Sequence, residues 1–267
     1  MLTDSQMRLF ALRGTRPSRR QVFLPSGCLL LGHRGFARSA PENTISACLD
    51  AIQWGADGVE IDLRCTLEGE AVVFHDDTLS RLVGIPGAIN TMPLSQIQAC
   101  LLKGAEGFHS DTIPTFQELL EALPSGIFVN VEIKDAPPLH LHFEDKVVAQ
   151  IVAFRHKFHF IISSFNPKAL HRFRMRSETI PLGLLMAPDL VWPLRTGALL
   201  PLLRPEAIHP HYSMVTSSLV DMAHEKDMKV YPWTVNDVAE ASRLGGLGVD
   251  GLITDQVQKI TDMMGHS

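Results

Sequence analysis

A chain of 267 residues with 45% hydrophobic side chains is long enough for one large core, and no Gly/Ser-rich linker divides it into two smaller units. A formal net charge of −5 and a sequence pI of about 6.2 exclude the broad basic surplus of a nucleic-acid-binding protein while leaving room for a local cationic pocket. No run approaches the roughly 18 apolar residues of a membrane span, and Cys28, Cys48, Cys65 and Cys100 lack CxxC spacing and read as packed, reduced thiols.

Residues 1–26 carry Arg8, Arg13, Arg16, Arg19 and Arg20 without a continuous apolar segment. They are expected to form a solvated, flexible arm ahead of a single domain spanning 27–267. Leu24-Pro25-Ser26-Gly27-Cys28 resembles a lipoprotein box, but Val22-Phe23-Leu24 is too short to serve as its apolar segment. A cytoplasmic location without stable membrane insertion follows as the expectation.

The first strand, Cys28 to Leu31, is apolar until Gly32-His33-Arg34-Gly35, as in a buried parallel strand whose carboxyl end opens into a site. Ser39 to Thr44 reads as a helix start, and Ile45, Ala47, Cys48, Ala51, Ile52 and Trp54 keep helical spacing until Gly55. Gly58 to Arg64 alternates, so Glu60 and Asp62 share one face, about 7 Å apart along the strand. The run Ala71 to Asp76 follows too closely for a helical crossover, so a hairpin is expected. A turn over Leu67 to Glu70 would set Thr66 opposite Ala71, Arg64 opposite Val73 and Asp62 opposite His75.

Residues 76–113 hold Gly84, Pro86, Gly87, Pro93, Gly104 and Gly107 around one short predicted helix, Leu94 to Leu102, which suggests an inserted excursion or lid. Pro114 to Leu123 reads as a helix. Ile127 to Lys134 repeats the second strand's pattern and presents Glu132 and Lys134 on a common face. Strands are then predicted at 158–165, 180–186, 207–211, 228–235 and 249–255, followed by helices at 167–176, 192–203, 217–226, 237–244 and 257–264. Eight strand centres, at Leu29, Val59, Val129, Ile161, Leu184, Ile208, Val230 and Leu252, predict an α/β TIM (β/α)8 barrel with a small insertion after the second barrel strand. An open doubly wound sheet is the competing architecture. In a barrel the site lies at the strands' carboxyl ends, where His33, Glu60, Asp62, Glu132, Lys134, Ser164, His209, Trp233, Asn236 and Asp255 all fall.

Glu60, Asp62 and Glu132, with no cysteine among them, describe an oxygen-ligand site for a divalent metal, Mg²⁺ or Ca²⁺; only the two nearby histidines keep zinc in view. Arg34 and Lys134 beside it match an anionic group such as a phosphate. His33 and His75 can divide general acid and general base work between them, an assignment of roles that the sequence leaves open. His109, His140, His142, His156, His159, His171 and His224 read as ordinary polar residues, with His209 and His211 intermediate. Glu42 is either a first-turn acid or a supporting partner of the site, and Asp76 can simply cap a turn. Trp233, beside Asn236 at a strand end, reads as a substrate contact more readily than as barrel core.

The ordered series His33-Arg34-Gly35, Pro41-Glu42-Asn43-Thr44, Gly55-Ala56-Asp57 leading to Glu60 and Asp62, His75-Asp76, Pro114-Thr115, Glu132-Ile133-Lys134, Ser164-Phe165 and Trp233-Thr234-Val235-Asn236 resembles the motifs of the glycerophosphodiester phosphodiesterase family, from about residue 29 to 256. The resemblance implies a TIM-barrel enzyme acting on small-molecule glycerophosphodiesters to give glycerol 3-phosphate and an alcohol. It implies His33 and His75 as the acid/base pair and Glu60, Asp62 and Glu132 as metal ligands. Arg34 and Lys134 would hold phosphate, and Trp233, with Phe36 assisting, would line the glycerol pocket. The chain departs from the family pattern after Arg81, where Leu82-Val83 replaces a Thr-Thr pair, and its 76–113 insert is shorter than that of periplasmic members. Two alternatives stand beside this reading. One is a lysophospholipase D or a phosphatidylinositol phospholipase C-like phosphodiesterase. The other is a non-catalytic phosphate-binding barrel, against which the completeness of the residue set argues.

Overall fold

The computed structural model describes residues 27–37, 40–102, 111–134, 137–138, 141–191, 198 and 200–265. The arm 1–26, His109, His140 and most of the start of the helix predicted at 192–203 lie outside the described residues. Eight parallel barrel strands appear in the order expected: β1 (Leu29–His33), β2 (Gly58–Cys65), β6 (Phe128–Ile133), β7 (His159–Ser164), β8 (Leu182–Met186), β9 (Ala207–Pro210), β10 (Lys229–Val230) and β11 (Gly251–Thr254). They are hydrogen-bonded in the sequence β10-β9-β8-β7-β6-β2-β1-β11. The two ends meet through Asp250 N donating to Val230 O, Ile253 N to Pro232 O and Val235 N to Ile253 O, at 2.9, 3.0 and 2.8 Å. That seam closes the barrel and rules out the open sheet. β10 is shorter than predicted: bonds to β9 continue from Tyr231 N to Ile208 O and Trp233 N to Pro210 O, but Pro232, which faces β11, has no N–H to donate there.

Alternation along each strand sorts the core. Val59, Ile61, Leu63, Val129, Val131 and Ile162 face the surrounding helices in the main apolar cluster, while Leu31, Phe128, Ile161, Ala207, Tyr231 and Ile253 fill the interior. The helix Ile45–Gln53 starts on Thr44, whose hydroxyl accepts from Ala47 N, and ends before Gly55 at φ 90°. The helix Phe116–Ala122 carries a full capping box between Thr115 and Glu118. A helix at Phe143–Phe154 was not predicted: it starts from left-handed His142 without a side-chain cap, so the usual start signal is missing. The excursion is a small packed unit in which Phe74, Leu79, Ile89, Ile97, Leu102 and Ile113 share their own cluster. Its helix, Leu94–Gln98, stops short of the predicted Leu102, which instead belongs to a two-residue strand, β4 (Leu101–Leu102), paired with β5 (Asp111–Thr112). Among the described residues no helix is long and apolar enough to cross a membrane.

The hairpin forms one residue out of the expected register. β3 (Ala71–Val73) pairs Cys65 with Ala71, Arg64 with Val72 and Leu63 with Val73. The turn starts one residue early, with Thr66 N donating to Glu70 O at 2.9 Å and Gly69 N to Thr66 O at 3.0 Å. His75 still reaches the site because it lies beyond the strand, where alternation no longer dictates direction. Arg64 holds its carbonyl through Nε at 2.9 Å and Nη2 at 2.7 Å.

Candidate active site

The carboxyl end of β1 is shaped by a tight turn in which Arg34 (φ 57°) and Gly35 (φ 83°) both adopt left-handed backbone. Arg34 N donates to Glu60 O at 2.8 Å and to Glu60 Oε2 at 3.1 Å, tying the ends of β1 and β2 together. Asn43, also left-handed, bonds Arg34 O through its N–H at 2.9 Å. Its side chain grips Asp62 from two directions: Nδ2 donates to Asp62 Oδ2 at 2.7 Å and Oδ1 accepts from Asp62 N at 3.1 Å. In the sequence Asn43 stands in a helix start and in the Pro41-Glu42-Asn43-Thr44 motif without a role of its own; an Asn, tolerant of left-handed backbone, directly before a Thr cap is the signal there.

Glu60, Asp62 and Glu132 are buried, and one carboxylate oxygen from each lies within 4.8 Å of the others. Lys134 Nζ bridges two of them, 2.6 Å from Glu132 Oε1 and 3.1 Å from Asp62 Oδ1, and Arg34 Nε stands 3.4 Å from Asp62 Oδ2. Burial, with the Asp62 charge adding to it, pushes Glu60 up to about 8, and burial raises Glu132 as well. Asp62 moves the other way: burial opposes its ionisation, but Lys134, Arg34 and His75 together hold it below the usual carboxylate range. Three clustered, buried, hard oxygen donors carrying more negative charge than their surroundings support fit a divalent cation.

His33 and His75 line one cleft together with the charged Arg34, Glu60, Glu132 and Lys134 and the apolar Phe165, Leu185, Trp233 and Ile253. His33 Nδ1 pairs with Asp255 Oδ1 at 2.7 Å, and Asn236 Nδ2 steadies Asp255 Oδ2 at 2.7 Å. His75 Nδ1 pairs with Asp76 Oδ1 at 2.7 Å. The two imidazoles are nonetheless polarised oppositely. Burial would lower His33, but the Asp255 hydrogen bond and the charge of Glu60 outweigh it and raise its pKa. Burial lowers His75, and Lys134 and Arg34 keep it low against Asp62 and Asp76.

Trp233 stands edge-on to Phe165 at 5.4 Å and donates its Nε1 to His209 O at 2.8 Å. Phe36 does not join the cleft. After Gly35 the chain turns back, Phe36 N donates to Ala47 O at 2.7 Å, and the buried ring meets Trp54 in the layer between barrel and helix. The expected glycerol contact from Phe36 is therefore replaced by a packing role. Ser164 donates to Ile133 O at 2.7 Å and accepts from Asn166 N at 3.0 Å, which makes it a cap at the end of β7. Glu42 supports the site: its carboxylate binds Arg34 Nη1 at 2.7 Å and also Arg81, which in the sequence marks only the start of a departure from the family pattern.

A closed (β/α)8 barrel with clustered acids, two cations and two poised imidazoles at its carboxyl-end face defines a barrel hydrolase of phosphate esters. The profile of the Glycerophosphoryl diester phosphodiesterase family matches residues 33–259. A glycerophosphodiester phosphodiesterase from Caldanaerobacter subterraneus subsp. tengcongensis is 34% identical over 241 residues, covering 88% of this chain and 97% of that relative. A phosphodiesterase from Oleispira antarctica, solved in complex with the product sn-glycerol-3-phosphate, is 30% identical with a TM-score of 0.75, covering 91% of this chain and 98% of the other. A glycerophosphodiester phosphodiesterase from Thermotoga maritima superposes with a TM-score of 0.70 at 25% identity over 90% of this chain and 100% of its own. The chain belongs to the glycerophosphoryl diester phosphodiesterase family and is a phosphoric diester hydrolase.

Proposed function

We propose that this enzyme hydrolyses small glycerophosphodiesters to glycerol 3-phosphate and an alcohol, with His75 as general base and His33 as general acid. The observation that carries the assignment is the opposite polarisation of two histidines lining one cleft. Each ring is anchored to a carboxylate through Nδ1, which leaves Nε2 as the atom that exchanges a proton with the substrate. His75, held neutral, takes the proton of the attacking water. His33, whose protonated form is favoured by its Asp255 hydrogen bond, gives a proton to the departing alkoxide, which is otherwise a poor leaving group.

Arg34 and Lys134 hold the phosphate oxygens, and the fixed positions of both cations favour the charge that builds up in the transition state. Glu60, Asp62 and Glu132 would hold a divalent cation, Mg²⁺ or Ca²⁺, which when bound supplies Lewis-acid polarisation of a phosphoryl oxygen. The apolar wall of Trp233, Phe165 and Leu185 faces the carbon skeleton of glycerol. The product held by the Oleispira relative supports this substrate class.

Glycerophosphocholine incubated with the purified protein should yield glycerol 3-phosphate and choline, and EDTA should abolish turnover until Mg²⁺ or Ca²⁺ is restored. His33→Ala and His75→Ala should each lower kcat by about 10²- to 10⁴-fold with folding intact. A cyclic phosphate product would replace attack by water with attack by a neighbouring hydroxyl, and full turnover in EDTA would remove the cation from the reading.

A further inference from the structure

Just inside the carboxylates, the barrel interior holds a second polar group of side chains that the proposed chemistry does not use. Asn130 on β6, Ser163 on β7 and His209 on β9 are at most 1% exposed. Among the described residues neither amide atom of Asn130, nor Ser163 Oγ, nor either ring nitrogen of His209 has a hydrogen-bond partner. Leaving one such group buried and unpaired costs about 1–3 kcal/mol, so five atoms in three neighbouring side chains call for a ligand.

The register brings them to one place. Asn130 lies level with Glu60, and Ser163 lies level with both Glu132 and Gly183 on its two sides. Gly183 supplies the space: a Cβ there would collide with His209 Nε2, so the imidazole of β9 lies across β8 toward β7. Tyr231, edge-on to His209 at 5.3 Å, forms the wall on the far side. Asn130 also lines the catalytic cleft, which makes the group continuous with the floor of the active site.

The chemistry of the atoms selects the ligand. A cation would take up only the acceptors and an anion only the donors, leaving the other atom of the amide and of the imidazole unpaired. Burial pushes His209 down to about 3, so the ring is neutral and brings no charge of its own. The matching ligand is small, uncharged, and both donor and acceptor. We propose that Asn130, Ser163 and His209 form an internal water-binding layer beside Glu60 and Glu132. At about three hydrogen bonds per buried water, the five atoms correspond to roughly two molecules.

A high-resolution crystal structure of the wild-type protein tests the layer directly and independently of the catalytic reading. Ordered waters bridging Asn130, Ser163 and His209 are expected; a dry interior, direct bonds among the three side chains, or a bound ion in their midst would overturn the proposal. Thermal unfolding gives a second measurement. In a hydrated layer, Ser163→Ala and His209→Phe each strand the remaining partners and should lower Tm by about 3–8 °C. If Tm is unchanged or rises in Ser163→Ala, the hydroxyl had no partner to lose and the layer is not hydrated.

Discussion

Arg81 shows how far the site extends beyond the residues that face the cleft. Its Nε and Nη2 reach Asp76 at 2.6 and 3.0 Å, while Nη1 and Nη2 reach Glu42 at 3.0 and 2.6 Å. Asp76 in turn holds His75, and Glu42 holds Arg34, so one guanidinium of the excursion ties His75 to Arg34. That Arg81 hydrogen bond, more than any other influence, keeps Asp76 ionised, down to about 2. Arg81→Leu should lower kcat/KM by about 10- to 100-fold, the range for supporting partners of a site. Arg81→Lys should recover only part of the loss, because a point charge cannot span both carboxylates as a planar fork does. Steady-state kinetics with circular dichroism as a folding control would check both, and wild-type kcat/KM in Arg81→Leu would confine the residue to the surface. The polarised histidines add a pH prediction. Because His75 is lowered and His33 raised from 6.5, kcat/KM should rise through a pKa below that value, stay level, and fall through one above it. Measured pKa values in the reverse order under His75→Ala and His33→Ala, with each variant removing the other limb, would exchange the two roles. Glu42 and Asp76 were visible in the sequence as acids with two possible uses, and only the position of Arg81 between them decides which applies.

At the level of elements, the turn after β1 sets the direction of His33 and Arg34, and Gly35 is what permits it. Its φ of 83° is unfavourable for any other residue, and an added Cβ would lie 2.5 Å from the Ala47 carbonyl carbon in the backbone of the following helix. Gly35→Ala should therefore destabilise the fold by roughly 1–3 kcal/mol, measured by urea unfolding, and weaken activity through the displaced Arg34. An unchanged midpoint would mean that the turn and helix can part without loss. Elements of this kind were legible in proportion to how local their cause is. Alternation along β2 and β6 placed Glu60, Asp62 and Glu132 correctly because the pleat alone determines facing. The barrel could be read from eight apolar runs for the same reason. The hairpin register could not, since it depends on whether Thr66 belongs to the strand or the turn, and here its hydroxyl accepts from Glu70 N at 3.1 Å and starts the turn. The Phe36 expectation rests on the family resemblance alone, which carries no information about the reversal at Gly35 that turns the ring into the main apolar cluster.

Across the whole molecule, the carboxylate cluster links folding to pH and, on the proposed function, to a divalent cation. Burial, with Asp62 alongside, pushes Glu60 up to about 8, against 4.5 for an unperturbed glutamate. Between those two values the folded chain keeps a proton on Glu60 that the unfolded chain has released. Stability must then fall as pH rises from about 4.5 toward 8 and level off above it, this group acting alone. Glu132 is raised in the same direction and adds to the slope, whereas Asp62, already ionised through most of this interval, contributes little to it. A divalent ion competes with that proton for the same oxygens. Its stabilising effect should accordingly grow with pH, small where Glu60 is protonated and largest where the bare carboxylates repel one another. Thermal unfolding in EDTA and in saturating Mg²⁺ or Ca²⁺, at a pH near 6 and again near 8.5, measures the difference without reference to turnover. A Tm increment that widens with pH is the expected result. An increment equal at both values would mean that the ion displaces no proton, and its ligands would then have to be sought away from Glu60 and Glu132.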